Sequence, residues 1–470
     1  MSKEKKSERK EKLFYRQKNG YDLISEKERR LCEDYCQGYM SFLNTARTER
    51  EAVREGIRLA ESKGFVEYKP GMPLKPGTKV YSSNRGKALL LAFIGKKSLA
   101  EGDVIAAAHV DSPRLELKQV PMYEDNEICY FKTHYYGGIK KYQWLTIPLE
   151  LHGVVALRDG SVVDVCIGKD KSDPIFQITD LLPHLGKDQR KKSSAEFVPA
   201  ESLNLIIGSI PDKEEVEGRT KLAIMDLLNK KYGIVEEDFL SAELIAVPAY
   251  DVREVGFDRS LIAGYGHDDR VCAYAELAAI LEQDKPEKTS ICILADKEEI
   301  GSEGVSGMKS RAFERFVGDL CDTQKVKLEH CFANSLCISA DVCNAFDPNY
   351  PEVSEKRNAA KINYGMGICK FTGHGGKSDS NDASAEVVAH LRRVFAEKNI
   401  IWQMAELGKV DQGGGGTVAM YMAERDIDTI DAGVPVLSMH APYETVAKLD
   451  CYMTYKGIKA MYEETTPAEK

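Results

Sequence analysis

The chain has 470 residues, 43% of them hydrophobic, and a formal net charge of −9, which is apolar material enough for a large core and two or three domains of ordinary size. The acidic balance argues against nucleic acid or an anionic membrane as the main partner. No apolar run reaches the roughly 18 residues that a bilayer span requires, and the charged start lacks the apolar stretch of a signal peptide.

In chain order, the basic cluster from Lys3 to Lys12 is interleaved with Glu4, Glu8 and Glu11 and reads as a solvated helix start. Up to about residue 65 the chain reads as helix, with Leu43, Ala46, Ala52, Ile57 and Leu59 at roughly helical spacing. Pro70, Gly71, Pro73, Pro76 and Gly77 break that pattern. Strands are predicted at Ala88–Ile94, Val104–Val110, Ser290–Ala295, Leu336–Ala340 and Val434–Ser438. Helices are predicted at Arg270–Leu281, Ala383–Ala396, Thr417–Ala423 and Leu449–Tyr462. Fully apolar strands alternating with helices indicate an α/β sheet covered on both faces. The stretch 115–249 has a different texture, with β-rich pieces at Leu149–Leu157, Val162–Ile167 and Ser202–Ile207, and reads as a second domain inserted into the first. The first domain then comprises 1–114 and 250–470. Twelve cysteines are scattered without a Cys-x-x-Cys pair, several of them inside apolar runs such as those of Cys292 and Cys337. Thiols so placed behave as small hydrophobes in a reducing compartment. They favour a cytoplasmic address and argue against a disulfide scaffold or a thiolate metal site.

The informative pattern is where the acidic and imidazole groups fall. Four of the predicted strands run into His109, into Asp296-Lys297-Glu298-Glu299, into Asp341 and into His440, and Asp268 stands just before a helix. In open α/β sheets the carboxyl edge is where sites are built. Two histidines and three carboxylates without cysteine suit Zn, Mn or Co, and one carboxylate can bridge a pair of ions that polarise a carbonyl and activate water. Asp111, two residues past His109, is placed to accept the other imidazole N–H. Of the adjacent pair Glu298-Glu299, one can face a metal and the other can serve as general base. Each of these residues alone is more simply a core histidine or a strand-end turn residue; their convergence on one sheet edge favours a metal site. The run Asp411-Gln412-Gly413-Gly414-Gly415-Gly416-Thr417 lacks the Gly-Lys-Ser/Thr ending of a phosphate loop, so it reads as a turn that brings backbone N–H groups, Gly414 among them, toward a substrate.

The segments Ala108-His109-Val110-Asp111-Ser112-Pro113-Arg114, Asp296-Lys297-Glu298-Glu299-Ile300-Gly301-Ser302 and Ser438-Met439-His440-Ala441-Pro442-Tyr443-Glu444, with Pro348-Asn349-Tyr350-Pro351, resemble the aspartyl aminopeptidase and vacuolar aminopeptidase I family over nearly the whole chain. The resemblance implies a metallopeptidase domain with a central mixed sheet flanked by helices, and a β-rich dimerisation domain inserted at 115–249. It implies two zinc ions, one on His109, Asp268 and Asp341 and the other on Asp268, Glu299 and His440. Glu298 would be the base, with Asp111 behind His109. Peptides would lose their N-terminal residue, and self-association would give a dodecamer built from dimers, in which His184 would reach a neighbouring subunit's site. Departures concern substrate choice: His267-Asp268-Asp269 replaces a usual Leu-Asp-Asn, Asp347 stands where many members carry a His, and the run Tyr136–Trp144 lacks the continuation typical of acid-specific enzymes. Lys370 is a candidate partner for an acidic substrate side chain. Two rival readings are an N-acyl amino acid deacylase on the same metals and a non-enzymatic assembly that uses metals structurally; a retained Glu298 argues against the second.

Overall fold

The computed structural model describes residues 9–464 apart from residues 11 and 216, so the charged start expected from Lys3 to Lys12 lies largely outside the described residues. The fold is α/β. Its centre is a nine-stranded mixed sheet in the order Val66–Glu67, Lys79–Asn84, Ala88–Phe93, Ser290–Ala295, Val104–His109, Leu336–Ser339, Asp428–Gly433, Met366–Cys369, Trp402–Met404. The four strands beginning at Ser290, Val104, Leu336 and Asp428 run parallel, and their registers align Ala295 with His109 and Ser339 with both Ala107 and Asp431. Three carboxyl ends therefore finish almost level.

Alternation along each strand explains why both faces are covered. Val104, Ala106 and Ala108 belong to one apolar core, whereas Ile105 and Ala107 belong to a second on the opposite face. The first core is filled by the helices Glu26–Thr45, His267–Leu281, Ala385–Glu397 and Lys448–Tyr462, and the second by Ala312–Gln324, Leu328–Phe332 and Val418–Ala423. Side-chain caps fix several starts. Ser25 accepts from Glu28 N–H in a reciprocal capping box, and Thr48, Ser384 and Thr417 cap the helices that follow them. The early helical stretch is accordingly two helices, Glu26–Thr45 and Glu49–Ser62, joined by a break at residues 46–48.

A six-stranded antiparallel sheet is drawn wholly from residues 114–248, and it encloses its own core around Trp144, Leu149 and Phe239. A five-stranded sheet of short segments, in the order Arg253–Val255, Leu261–Gly264, Glu444–Ala447, Pro435–Leu437, Cys343–Asn344, is a separate ladder whose Ile262, Val436 and Val446 pack into the first core. This corrects one expectation. The strand anticipated over Val434–Ser438 is Pro435–Leu437, and it belongs to this small sheet rather than to the central one. The central position goes instead to Asp428–Gly433, whose Asp428, Thr429 and Asp431 disguise a largely buried strand.

Candidate metal centre and active site

Three elements of the central sheet and two of the small sheet meet at one point. His109 ends its strand, Glu298 and Glu299 sit on a single helical turn after Ser290–Ala295, and Asp341 follows Leu336–Ser339. Asp268 opens the helix that follows Leu261–Gly264, and His440 stands in the turn after Pro435–Leu437. His440 thus reaches the cluster from the small sheet, and the expectation of four strands of one sheet delivering the site is reduced to three. The turn carrying His440 is tight: Ser438 and His440 have φ of 59° and 63°, a left-handed conformation uncommon outside glycine.

Asp268 lies at the middle of the cluster. Its Oδ1 is 3.2 Å from His109 Nε2 and its Oδ2 is 3.2 Å from His440 Nε2. Glu298 and Asp341 approach His109 Nε2 at 3.7 and 4.0 Å, and Glu299 approaches His440 Nε2 at 3.6 Å. Donor atoms of His109, Glu298 and Asp341 lie within 4.8 Å of one another, as do those of His109, Asp268 and Glu299. All five residues expected as ligands are therefore brought together, with Glu298 close enough to count as a sixth donor.

The electrostatics of the cluster fit divalent ions. Burial pushes the Glu299 carboxyl well above its usual range, with the Asp268 charge adding to it; burial and the Glu298 charge do the same to Asp341. Glu299 Oε1 is buried without a hydrogen-bond partner. Burial also pushes Glu298 up to about 7, with His109 opposing and Asp111 and Asp268 adding to the rise. Against its own burial, Asp268 is held well below the carboxylate range by hydrogen bonds from His109 and His440. Burial lowers His440, but Asp268 and Glu299 outweigh it and push the imidazole up to about 10. Four carboxylates sharing two imidazoles are short of positive charge, which is the balance that oxygen- and nitrogen-bound dications supply.

Asp111 does more than the sequence suggested, and in a different place. His109 Nδ1–H points at the Asp111 main-chain carbonyl at 2.9 Å, whereas the Asp111 carboxylate is 3.5 Å away. That carboxylate accepts instead from Glu298 N–H and Glu299 N–H, each at 3.2 Å, and from the Tyr136 hydroxyl at 2.7 Å. One buried carboxylate thereby fixes the turn that carries both glutamates. Glu444 has a similar part that sequence reasoning missed. Its oxygens accept from Asp268 N–H at 3.0 Å and from His440 N–H at 2.7 Å, tying two donors by their backbones. The only signal was its position four residues past His440 in the same motif. Gly137 and Gly138 are the other residues missed: a Cβ on either would come 3.2 Å from Glu299 Oε2 or His440 Nδ1, and the Gly138 carbonyl accepts from His440 Nδ1–H at 2.8 Å.

A cavity of ≈ 550 Å³ opens over the cluster. Asp268, Glu298, Glu299, Asp341 and His440 form its acidic end, and Val342, Phe371, Leu407, Val410, Tyr421 and Met439 line much of the rest. Gly414 lines it too, but its N–H is spent on the Leu407 carbonyl at 3.0 Å, so this amide is not offered to a substrate. A Cβ there would fall 1.8 Å from the Gly373 carbonyl oxygen, so the glycine run serves close packing of loop on loop. Lys370 does not line the cavity and is paired with Asp382 at 2.7 Å. His184 is exposed and outside the cavity of its own chain. His267, the departure beside Asp268, is a buried core residue whose Nδ1 lies 2.6 Å from the Tyr39 hydroxyl.

A carboxylate and imidazole cluster in a cleft at the carboxyl edge of an open α/β sheet has the make-up of a metal-dependent hydrolase. The family described as aminopeptidase I zinc metalloprotease (M18) matches residues 42–462. A probable M18 family aminopeptidase 1 of Clostridium acetobutylicum is 49% identical over 459 residues, covering 95% of this chain and 98% of that protein. The crystal structure of an M18-family aminopeptidase from Thermotoga maritima has a TM-score of 0.92 at 44% identity, covering 96% of this chain and 100% of that one. The mApe1 dodecamer of S. cerevisiae, at 20% identity and a TM-score of 0.73 over 91% of this chain and 96% of that one, shares the fold alone. The chain belongs to the M18 family of zinc metallo-aminopeptidases, hydrolases acting on peptides. Among the described residues no helix is long and apolar enough to cross a membrane.

Proposed function

We propose that the enzyme removes the N-terminal residue of unblocked peptides with the help of two divalent ions, zinc in the first instance, and that this residue is neutral or hydrophobic. The observation that carries the reading is Asp268, whose two oxygens face His109 and His440 at 3.2 Å each, the disposition of a bridging carboxylate. His109 and Asp341 would complete one ion's shell and Glu299 and His440 the other's. When bound, the ions supply Lewis-acid polarisation of the scissile carbonyl and bring the acidity of water toward neutrality.

The chain's own residues do the rest. Glu298, beside His109 but held by the Asp111 turn, takes a proton from the attacking water and returns it to the leaving amine. The acidic end of the cavity receives the free α-ammonium of the peptide, which limits cleavage to the terminal residue. Phe371, Leu407, Tyr421 and Met439 offer an apolar wall for its side chain; Lys370 is engaged elsewhere, and Lys409 is the lysine that lines the cavity. Residues 115–249 are proposed as the inserted dimerisation domain of a cytoplasmic dodecamer, with His184 reaching a neighbouring active site.

The test is a panel of aminoacyl chromogenic substrates bearing Leu, Met, Lys, Asp or Glu, with N-acetylated counterparts, on the zinc-reconstituted protein. Chelator-sensitive cleavage of free-amine Leu and Met substrates supports the proposal. Cleavage of acetylated substrates alone would make the enzyme a deacylase, and preference for Asp or Glu would overturn the side-chain reading. Light scattering on the same sample reads the assembly.

A further inference from the structure

A second group of metal-type donors lies apart from the cavity. Strands Leu149–Ala156 and Val162–Ile167 pair antiparallel, and their register sets His152 directly opposite Cys166. Opposed residues share a face, with Cβ atoms roughly 4.5–5.5 Å apart. Glu51, on helix Glu49–Ser62, completes the group: one donor atom each from Glu51, His152 and Cys166 lie within 4.8 Å of one another. None of the three lines the active-site cavity.

The imidazole at its centre is fully buried, and no group meets its Nε2 with good hydrogen-bond alignment. That atom stands 3.2 Å from the buried Glu150 Oε1, while Nδ1 lies 2.9 Å from Glu51 Oε1. Histidines that bind metals characteristically set their other nitrogen against a carboxylate, and His152 has one at each nitrogen. Glu51 is steadied by its far oxygen, Oε2, which accepts from Arg47 N–H at 2.9 Å, so Oε1 is left facing the imidazole. The charge of Glu150 is met by Arg47 Nε at 3.3 Å. Cys166 is the one exposed thiol of the twelve, which opens the group to solvent.

We propose that Glu51, His152 and Cys166 form a further divalent metal site of the zinc type, pinning helix Glu49–Ser62 to the six-stranded sheet. A thiolate and an imidazole select zinc, cobalt or cadmium over magnesium or calcium. The thiol gives up its proton to solvent as the metal–sulfur bond forms, and three protein donors leave one tetrahedral position for water. Spacing along the chain gives no hint of this site, because its donors are joined by strand register and by a helix about a hundred residues upstream in the sequence. It shares no residue with the proposed catalytic centre, so either assignment can fail without the other.

Cobalt reports it directly. The proposed catalytic centre has no sulfur donor, so a sulfur-to-cobalt charge-transfer band in the near ultraviolet of the cobalt-reconstituted full chain can arise only from a cysteine site. The expected result is such a band in the wild type, its loss in Cys166→Ser, one fewer zinc equivalent per chain in that variant after desalting, and unchanged aminopeptidase turnover. Glu51→Gln should weaken the band without abolishing folding. A wild type with no band, or a band that survives Cys166→Ser, overturns the proposal.

Discussion

Replacing Asp111 with Asn tests how the turn that carries Glu298 and Glu299 is held. The wild-type carboxylate accepts three hydrogen bonds, from Glu298 N–H on one oxygen and from Glu299 N–H and the Tyr136 hydroxyl on the other. Asparagine has the same shape but only one acceptor atom. Its amide NH2 must face either Glu298 N–H or Glu299 N–H, so one charge-assisted bond is lost and a buried donor is stranded. A hydrogen bond to a charged group contributes about 1.5–3 kcal/mol, and each ~1.4 kcal/mol corresponds to a factor of ten in rate. The loss in kcat/KM should therefore be on the order of 10- to 100-fold, the range typical when a residue supporting metal ligands is changed. Tyr136→Phe removes the third bond to the same carboxylate, also about 1.5–3 kcal/mol, but it leaves both glutamate N–H groups paired, so only part of that loss reaches the turn and the cost should be roughly tenfold at most. The assay is hydrolysis of a leucyl chromogenic substrate at saturating zinc, with metal content measured in parallel. An Asp111→Asn enzyme within about threefold of wild type, at full metal loading, would refute the argument that this carboxylate positions the two glutamates.

Glu298→Gln should keep its metal and its assembly while kcat falls on the order of 10²- to 10⁴-fold; near-normal turnover would remove Glu298 from the role of base. Chelation should abolish activity and lower the melting temperature, and zinc at a hundredfold excess over Kd should restore about 2.7 kcal/mol of stability per site, seen as a concentration-dependent thermal shift. Burial holds His267 down to about 3, aided by the Arg270 charge and opposed by a backbone hydrogen bond, so it is neutral when folded. The unfolded chain takes up that proton below its ordinary value near 6.5, so His267 contributes stability that is present above pH 6.5 and lost as pH falls toward 3. In metal-free protein the slope should reach about 1.4 kcal/mol per pH unit, and denaturant melts of His267→Gln should be flatter by that amount; parallel curves for the two proteins would contradict it.

Much of this was readable in the chain, for definite reasons. Strands such as Val104–His109 and Ser290–Ala295 are apolar on both faces because helices cover both, and such runs announce themselves. Helix starts were readable where a Ser or Thr caps them, as at Ser384 and Thr417. Helix Arg219–Tyr232 was not, since a glycine stands at its cap and Thr220 is its only buried residue. The strand Asp428–Gly433 hid because Asp431 is buried to meet the Thr417 hydroxyl at 2.6 Å, a need that arises only in three dimensions. Within the site the donor types were legible one by one. The backbone work of Asp111 and Glu444 was not, because each carboxylate serves segments distant in sequence, and only folding makes them neighbours.

The central sheet delivers His109, and the small sheet, with the turn and helix attached to it, delivers His440 and Asp268. The proposed catalytic centre therefore cannot form on either part alone, and its candidate residues run from position 109 to position 440 of the chain. A nascent chain still short of its last strands carries no working peptidase, even though its own free N-terminus and those of its neighbours are at hand. Contacts so far apart in sequence are among the slowest to form. On the proposed assignment, placing the reactive groups across them ties peptidase activity to a chain whose small sheet is complete.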